Sequence, residues 1–454
     1  MGTNLNYAVP AVSDAGPGWA TKIITALNNI EAASMLSVAT YPGVDPTGVT
    51  ECSAAINAAE AAAAAKGQAL WWAQGAYKCS VGSIVKKPNV AWFGPRTGIL
   101  DSAGDLTKGA WINWVGSDTG IVVNATGAEY CHIEGVNINA STTHATGILY
   151  TSTNAPAGHD FFFTHGTIIT LGDGIVNGSG GSEQCDQFHV KDGVRIYANR
   201  CIVINSQNAA DGGGIGPGIY LVPEYGANPR GIAILKGGYT TIDRAVFGGG
   251  GIANTIFIDV TDQHGPLRIL QTEGEDTNAG TLHFRLASTA SPDATNQICI
   301  EGNATALGWD FQAECVVHSH GNSFYSVNPK LSGNNIQVYT DGSDSFVAPA
   351  TGWTVTGTGC CIGPPAPISF AKQAWTPGAV AAGATVSVAI ASTCLQGDVV
   401  DVSYDQMPAT SPSFDLSAVV IATNVVVVYL TNRTAGTVTP TPGNVRVMIR
   451  RFYQ

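Results

Sequence analysis

The sequence predicts an all-β chain: a parallel β-helix body, preceded by a short helical segment and followed by an antiparallel β-sandwich. Three observations carry this expectation. At 454 residues the chain is too long for one ordinary core, so several domains or a one-dimensional repeat are required. Charged residues are only 12% while glycine numbers 55, a balance that suits many tight turns between short strands and disfavours a helical protein. Finally, a loose unit of glycine, a few apolar residues and a polar turn recurs through the middle of the chain, and gives way near the C-terminus to strict alternation.

Residues 1–40 form a small N-terminal piece. After Pro10 and Gly16-Pro17-Gly18 comes Trp19, and then Ile23, Ile24, Leu27 and Ile30 recur at helical spacing, giving one apolar stripe. A single amphipathic helix does not fold alone, so the stripe is expected to bury itself against another copy or a partner. Next, Asp45-Pro46-Thr47-Gly48 is turn chemistry, with proline presetting φ and glycine allowing a positive one. Ser53 is placed to act as an N-cap, the alanine-rich run after it has high helix propensity, and Gly67 stops the helix. Ala69-Leu70-Trp71-Trp72 then reads as a buried strand, with the helix laid over the open end of a stack of coils.

The run from Gly43 to Thr50, followed by Cys52–Ala59 and by Leu70–Tyr77, resembles the opening of the pectate-lyase-like, right-handed parallel β-helix domain of bacteriophage tailspikes. In that family a Gly-Asp-Pro-Thr-Gly turn precedes a capping helix, and a Pro-x-Gly-x-Tyr ending opens the first coil. Here Ala73-Gln74 replaces the proline position, while Gly75 and Tyr77 keep their spacing. The Pro17-Gly18-Trp19 start of the first helix is similar to N-terminal segments of other phage tail appendages. Leu395–Val399, Asn424–Val427 and Leu430–Thr434 look like the small C-terminal β-domain of many tail fibres. The resemblance implies a right-handed single-stranded parallel β-helix over 41–363, a virion-attachment segment over 1–40, and a trimerisation or tip domain over 364–454. It also implies a homotrimer in the virion tail, made in the cytoplasm of the bacterial host. Its expected partners are a host surface glycan and, through the N-terminal segment, a tail or baseplate protein.

The body can be read without the family. Gly120-Ile121-Val122-Val123, Gly135-Val136-Asn137-Ile138, Gly147-Ile148-Leu149-Tyr150, Gly174-Ile175-Val176, Gly193-Val194-Arg195-Ile196 and Gly231-Ile232-Ala233-Ile234 are instances of the unit. Cys201–Ile204, Thr255–Ile258 and Gln297–Ile300 lack the leading glycine. Their irregular spacing fits coils of roughly 20–30 residues with insertions, whereas one large β-sandwich needs hairpin turns at shorter, steadier intervals. Past Gly363-Pro364-Pro365-Ala366-Pro367, which reads as a linker, Ala384–Ile390, Asp398–Ser403 and Val445–Ile449 alternate with period two, as one buried face and one wet face require. Val425–Tyr429 is more apolar than a small domain normally leaves bare, a second reason to expect a trimer.

Composition narrows the partners. The net charge is −12 with no basic run, which disfavours nucleic acid, because phosphate binding needs clustered Lys and Arg. No basic region followed by an apolar stretch marks an export signal, and no apolar run approaches the roughly 20 residues of a membrane helix, so no membrane insertion is expected. The 10 cysteines show no CxxC spacing and read as free thiols of a protein made in a reducing compartment.

Tailspike β-helices that cut polysaccharides use two or three exposed carboxylates, and the resemblance directs attention to acids. The densest group is Asp259, Asp262, Glu273, Glu275 and Asp276, of which Asp259, Glu273, Glu275 and Asp276 are the catalytic candidates. With Ile256, Ile258 and Val260 pointing inward, Asp259 points out, and in one column with Glu273 the pair would fall within retaining or inverting range. The plainer reading is that carboxylates at turns serve solvation. A second set on preceding coils, Asp211, Tyr220, Glu224, Tyr225 and Asp243, supplies candidate glycan-binding residues, with tyrosines that either stack on sugar rings or pack as a ladder.

His318-Ser319-His320 puts two imidazoles on one face of a strand, without a Cys or acid at ligand spacing, so an exposed pair is expected rather than a metal site. Gly212-Gly213-Gly214 and Gly248–Gly251 lack the following Lys-Ser or Lys-Thr of a phosphate loop. No cofactor is expected. Besides glycan adsorption with or without cleavage, two functions remain open: a purely structural appendage, and a secreted pectin-type lyase. The lyase is disfavoured by the missing export signal and by the lack of a calcium-binding Asp cluster with a catalytic Arg.

Overall fold

The computed structural model describes residues 35–450 apart from 96–105, 107, 153–159, 181–184, 186, 207–212, 250, 264, 276–279, 288–296, 348–349, 351, 359, 364–368, 393, 395–398 and 407–413. The N-terminal stripe Ile23–Ile30 and the proline linker thus lie outside the described residues. The chain forms two compact units, the first ending at Thr358 and the second holding Gln337–Ser343 and the residues from Cys360 on.

The first unit is a right-handed parallel β-helix. Each coil contributes one strand to each of three parallel sheets, with 11 strands of each in this unit, called here first, second and third in the order the chain visits them. One coil runs, for instance, from Phe188–Lys191 through Val194–Ala198 to Arg200–Asn205. Alternation aims every second side chain inward, and parallel register stacks these on their equivalents one coil away. The second sheet stacks Ile112, Ile138, Ile168, Ile196 and Leu221, and the third stacks Val123, Ile148, Ile175, Ile202, Ile232 and Ile258. All are buried. At about 1.5–3 kcal/mol for each buried aliphatic side chain, these columns are the main cohesive term of the body.

The first and second sheets are joined by very tight turns through a left-handed residue: Gly135, Arg244, Gln271, Gly302 and Gly321 all have positive φ. Glycine adopts this conformation freely, and polar residues tolerate it at some cost. The turn therefore does not always announce itself as glycine.

The helix Ser53–Lys66 closes the first coil, burying Ile56, Ala59, Glu60 and Ala63 and packing on Met35–Ser37, Ala69–Trp71 and Ile84–Val85. Gly67 ends it at φ 63°. Its N-terminus differs from expectation. Ser53 is the first helical residue and Cys52 the cap, without a side-chain capping bond, while the Glu51 carboxylate accepts the Ser53 N–H at 2.8 Å. The preceding turn is held by Asp45, which accepts the Thr47 hydroxyl at 2.6 Å and the N–H groups of Thr50 and Thr47 at 2.8 and 2.9 Å, and is thereby kept well below the usual carboxylate pKa. Leu70 and Trp72 are buried, but Trp71 is 39% exposed, because alternation turns it outward. Met35–Ser37 pairs in parallel with Ala69–Trp71, so the first sheet already begins within residues 1–40.

Under the helix lies an ion pair with no exposure at either side chain: Lys86 Nζ stands 3.6 Å from Glu60 Oε1. Glu60 also accepts the Lys87 N–H at 2.7 Å and the Trp92 Nε1–H at 2.8 Å, while Lys86 donates to the carbonyls of Lys87 and Val90. Burial pushes the Glu60 carboxyl pKa up, against the pull of Lys86.

The second unit contains two antiparallel three-stranded sheets. Ser369–Trp375, Gly443–Arg450 and Val399–Tyr404 form one, and Thr385–Ala391, Val425–Asn432 and Phe414–Ala422 the other. Ile390, Val420, Val426 and Val428 face Tyr404, Val445, Val447 and Ile449 in a shared core, which makes the pair a sandwich. Val426 and Val428 are therefore interior. The exposed apolar surface expected at Val425–Tyr429 sits mostly on the neighbouring strand, at Val419 and Ile421, 46% and 51% exposed.

The nine described cysteines are free thiols. No helix among the described residues is long and apolar enough to cross a membrane.

Candidate functional site

The outer faces of the three sheets carry different chemistry. On the third sheet, register sets Asp259, Arg285, Asp310 and Lys330 in one column, a ladder of alternating charge. Asp259 is only 7% exposed. Its carboxylate takes the Nε–H of Arg230 at 2.6 Å and two N–H groups of Arg285 at 2.9 and 2.8 Å. Arg200, one coil before Arg230, is bound to Asp173 in the same bidentate way as Arg285 to Asp259, at 2.7 and 2.6 Å. Asp259 does turn out of the core, as alternation requires, but it is a neutralising centre between two guanidinium groups and not an open carboxylate.

Nor does Asp259 share a column with Glu273. Glu273 lies in the second sheet, in register with Val246 and Ala304, while Asp259 lies in the third. The reason is the coil length: register partners here are 26 residues apart, as Asp259 and Arg285 are, so a 14-residue separation carries the chain only part-way round. The expected one-column pair is corrected accordingly.

A different set of the expected residues does come together, where the second sheet turns into the third. In three consecutive coils the second-sheet strand ends at Pro223, Phe247 and Gly274 and the third-sheet strand starts only at Arg230, Ile256 and Leu282, whereas the coil before them turns on Asn199 alone. The outward column of the second sheet runs Arg195, Tyr220, Val246, Glu273. Tyr220 spans the coils, its hydroxyl donating to Glu275 Oε2 at 3.3 Å. Gly248 lies against that phenol, and a Cβ there would collide with the hydroxyl. Glu275 is anchored by its N–H to the Phe247 carbonyl at 2.9 Å, and Glu224 by its N–H to the Ala198 carbonyl at 3.1 Å.

The electrostatics tie these groups together. Burial, then the Glu275 charge, raises the Tyr220 pKa. Burial, then a hydrogen bond to Glu224, raises that of Tyr225, and Tyr197 adds to both shifts. The Tyr220 and Tyr225 phenols thus stay protonated near neutral pH and available as donors. Glu273 and Glu275 are exposed, and Tyr197, Tyr220, Glu224 and Tyr225 half-buried. Arg195 and Tyr197 were not among the expected residues, although the alternation Val194-Arg195-Ile196-Tyr197 already put both on the wet face.

The remaining candidates fall elsewhere. Asp211 and Asp276 lie outside the described residues. Asp243 ends a first-sheet strand and is paired with its neighbour Arg244 at 3.0 Å, apart from the tyrosine column. His318 and His320 are exposed on the first sheet, in register with Cys299 and Glu301. No group of three or more His, Cys, Asp or Glu among the described residues is placed to hold a metal ion.

The chain matches no protein-family model and no curated protein. Among solved structures it is similar to the tailspike protein of E. coli bacteriophage HK620 in complex with a pentasaccharide, at 12% identity over 93% of this chain and 94% of that one, with a TM-score of 0.39. A mutant of the same tailspike with pentasaccharide gives 11%, 93%, 94% and 0.43, and another with hexasaccharide 11%, 94%, 94% and 0.34. Its structural neighbours are tailspikes.

Proposed function

We propose that the chain is a tailspike or tail-fibre-type receptor-binding protein that adsorbs to a host surface polysaccharide along the corner formed by Arg195, Tyr197, Tyr220, Glu224, Tyr225, Glu273 and Glu275. The observation that supports this most is the convergence of three tyrosines and three glutamates from successive coils onto one ridge. Tyrosine offers an apolar face to a pyranose and a hydroxyl to its oxygens, and glutamates accept from sugar hydroxyls. A rigid column of coils also lays such groups at a regular spacing of about 4.8 Å, suited to a linear polymer.

If the polymer is also cut, Glu273 and Glu275 are the acids in reach of it, with Asp276 next in sequence as a further candidate, whereas Asp259 is engaged by two arginines. Incubation with capsular and O-antigen polysaccharides, followed by assays for reducing ends and unsaturated uronates, separates the outcomes. Reducing ends alone mean hydrolysis, unsaturated products mean a lyase, and retention without either means adsorption only. Retention should fall about tenfold or more in Tyr220→Ala, since losing one stacking platform costs on the order of 1–3 kcal/mol. Unchanged retention would remove the corner from consideration.

The chain is further proposed to act as a homotrimer in the virion tail, made in the host cytoplasm and attached through its N-terminal segment. Support for self-association comes from the sandwich face on which Ala389, Val427 and Val419 lie side by side next to exposed Ile421. Val419→Asp with Ile421→Asp should shift the sedimenting species to monomer, and a variant that still sediments as a trimer would show that this face is not the contact.

A further inference from the structure

We propose that the outer face of the sandwich sheet formed by Ser369–Trp375, Gly443–Arg450 and Val399–Tyr404 holds a second saccharide site, specific for a sugar that carries a carboxylate. A cup of about 350 Å³ opens there, within the range of small-ligand pockets, about 300–1,000 Å³. Lys372, Arg446 and Ser403 stand in one row across its floor, and Asp401 and Met448 in the next. Lys372 and Arg446 are direct cross-strand partners, an arrangement of like charges that destabilises a sheet; the Asp405 charge faces both, and an anion between them would add to its relief.

The Arg446 guanidinium, 59% exposed, has its ion-pair partner Asp405 only at 4.0 Å. The Asp405 carboxylate is already taken up by the backbone and side-chain N–H groups of Asn444, at 2.6 and 2.9 Å. The apolar part of the wall is built from Met448 and the stems of the two basic residues, and suits the C–H face of a pyranose. Ser403 and Asp401 offer partners for its hydroxyls. The inference rests on the reading of the chain as a glycan-binding protein, but uses none of the residues of the coil corner.

The test uses the full chain, with trigalacturonate and N-acetylneuraminic acid as probes and fully methyl-esterified trigalacturonate as the neutral control, followed by calorimetry. One of the acids should bind, the ester should not, and added salt should weaken the binding. Arg446→Gln should reduce affinity about tenfold or more, and Arg446→Lys should keep part of it as a point charge without the bidentate fork. Tyr220→Ala should leave acid binding unchanged, so failure of the corner and failure of this cup are told apart. Binding by neither acid, equal binding of the ester, or no effect of Arg446→Gln overturns the proposal. So does a change of sedimentation in Arg446→Gln, which would make this face a contact between copies of the chain.

Discussion

Replacing Lys86 with methionine is expected to destabilise the body by about 3–5 kcal/mol, the usual cost of leaving one member of a buried ion pair without the other. Glu60 and Lys86 have no exposure at either side chain, and together they tie the capping helix to the strands beneath it. Removing the ammonium leaves a carboxylate held only by the Lys87 N–H and the Trp92 indole. The same pair explains the pH response. Burial raises the folded pKa of Glu60 above its unfolded value. A folded state with the higher pKa holds the proton more tightly, so this carboxyl favours folding while both states are protonated and loses that contribution as pH rises through the folded pKa. In Lys86→Met the raising cause is opposed only by the Lys87 N–H and the Trp92 indole, and the loss of stability should grow with pH. Guanidinium unfolding at several pH values measures it. Glu60→Leu with Lys86→Met should recover much of the loss, because an apolar pair leaves no charge behind. A single substitution as stable as the parent would mean that the helix is not held through this pair.

Asp259→Asn is the second large effect, expected at about 2–3 kcal/mol, because charge-assisted bonds to both Arg230 and Arg285 weaken at once. Two guanidinium groups then face each other across a neutral amide. Thermal unfolding reads this as a lowered midpoint, and Asp310→Asn, further along the ladder and bonded to neutral Ser332 and Gln312, should cost less. The comparison bears on function: activity lost in Asp259→Asn reports damage to the coils unless its folding is shown intact. An unchanged midpoint would mean that solvent and the neighbouring acids neutralise the arginines.

Much of the architecture is legible in the sequence because each stage has a local cause. Gly67 ends the helix by its left-handed φ, the isoleucine-rich strands mark the inward columns, and period-two alternation separates the sandwich from the coils. The site was harder to read, for a geometric reason. Assigning two acids to one column needs the register, and the register depends on turns that leave weak marks. Arg244 and Gln271 turn the chain in the left-handed conformation, where glycine would have signalled it, and Asn199 makes a whole connection by itself. A shift of part of a coil moves a carboxylate to another sheet, as happened between Asp259 and Glu273. The burial of Asp259 is hidden for a related reason, since the arginines that cover it come from the coils on either side, 29 and 26 residues away. Tyr220 and Glu275 meet across 55 residues, a contact that alternation alone does not reveal.

The most direct measurement is hydroxyl-radical footprinting of the full chain, free and saturated with a polysaccharide that it retains. Tyr197, Tyr220 and Tyr225 are predicted to lose oxidation together when the polymer binds, while Tyr325, 41% exposed further along the same sheet, keeps its rate as an internal control. Protection confined to other surfaces, with those three tyrosines oxidised as in the free protein, would contradict the assignment of the glycan to this corner.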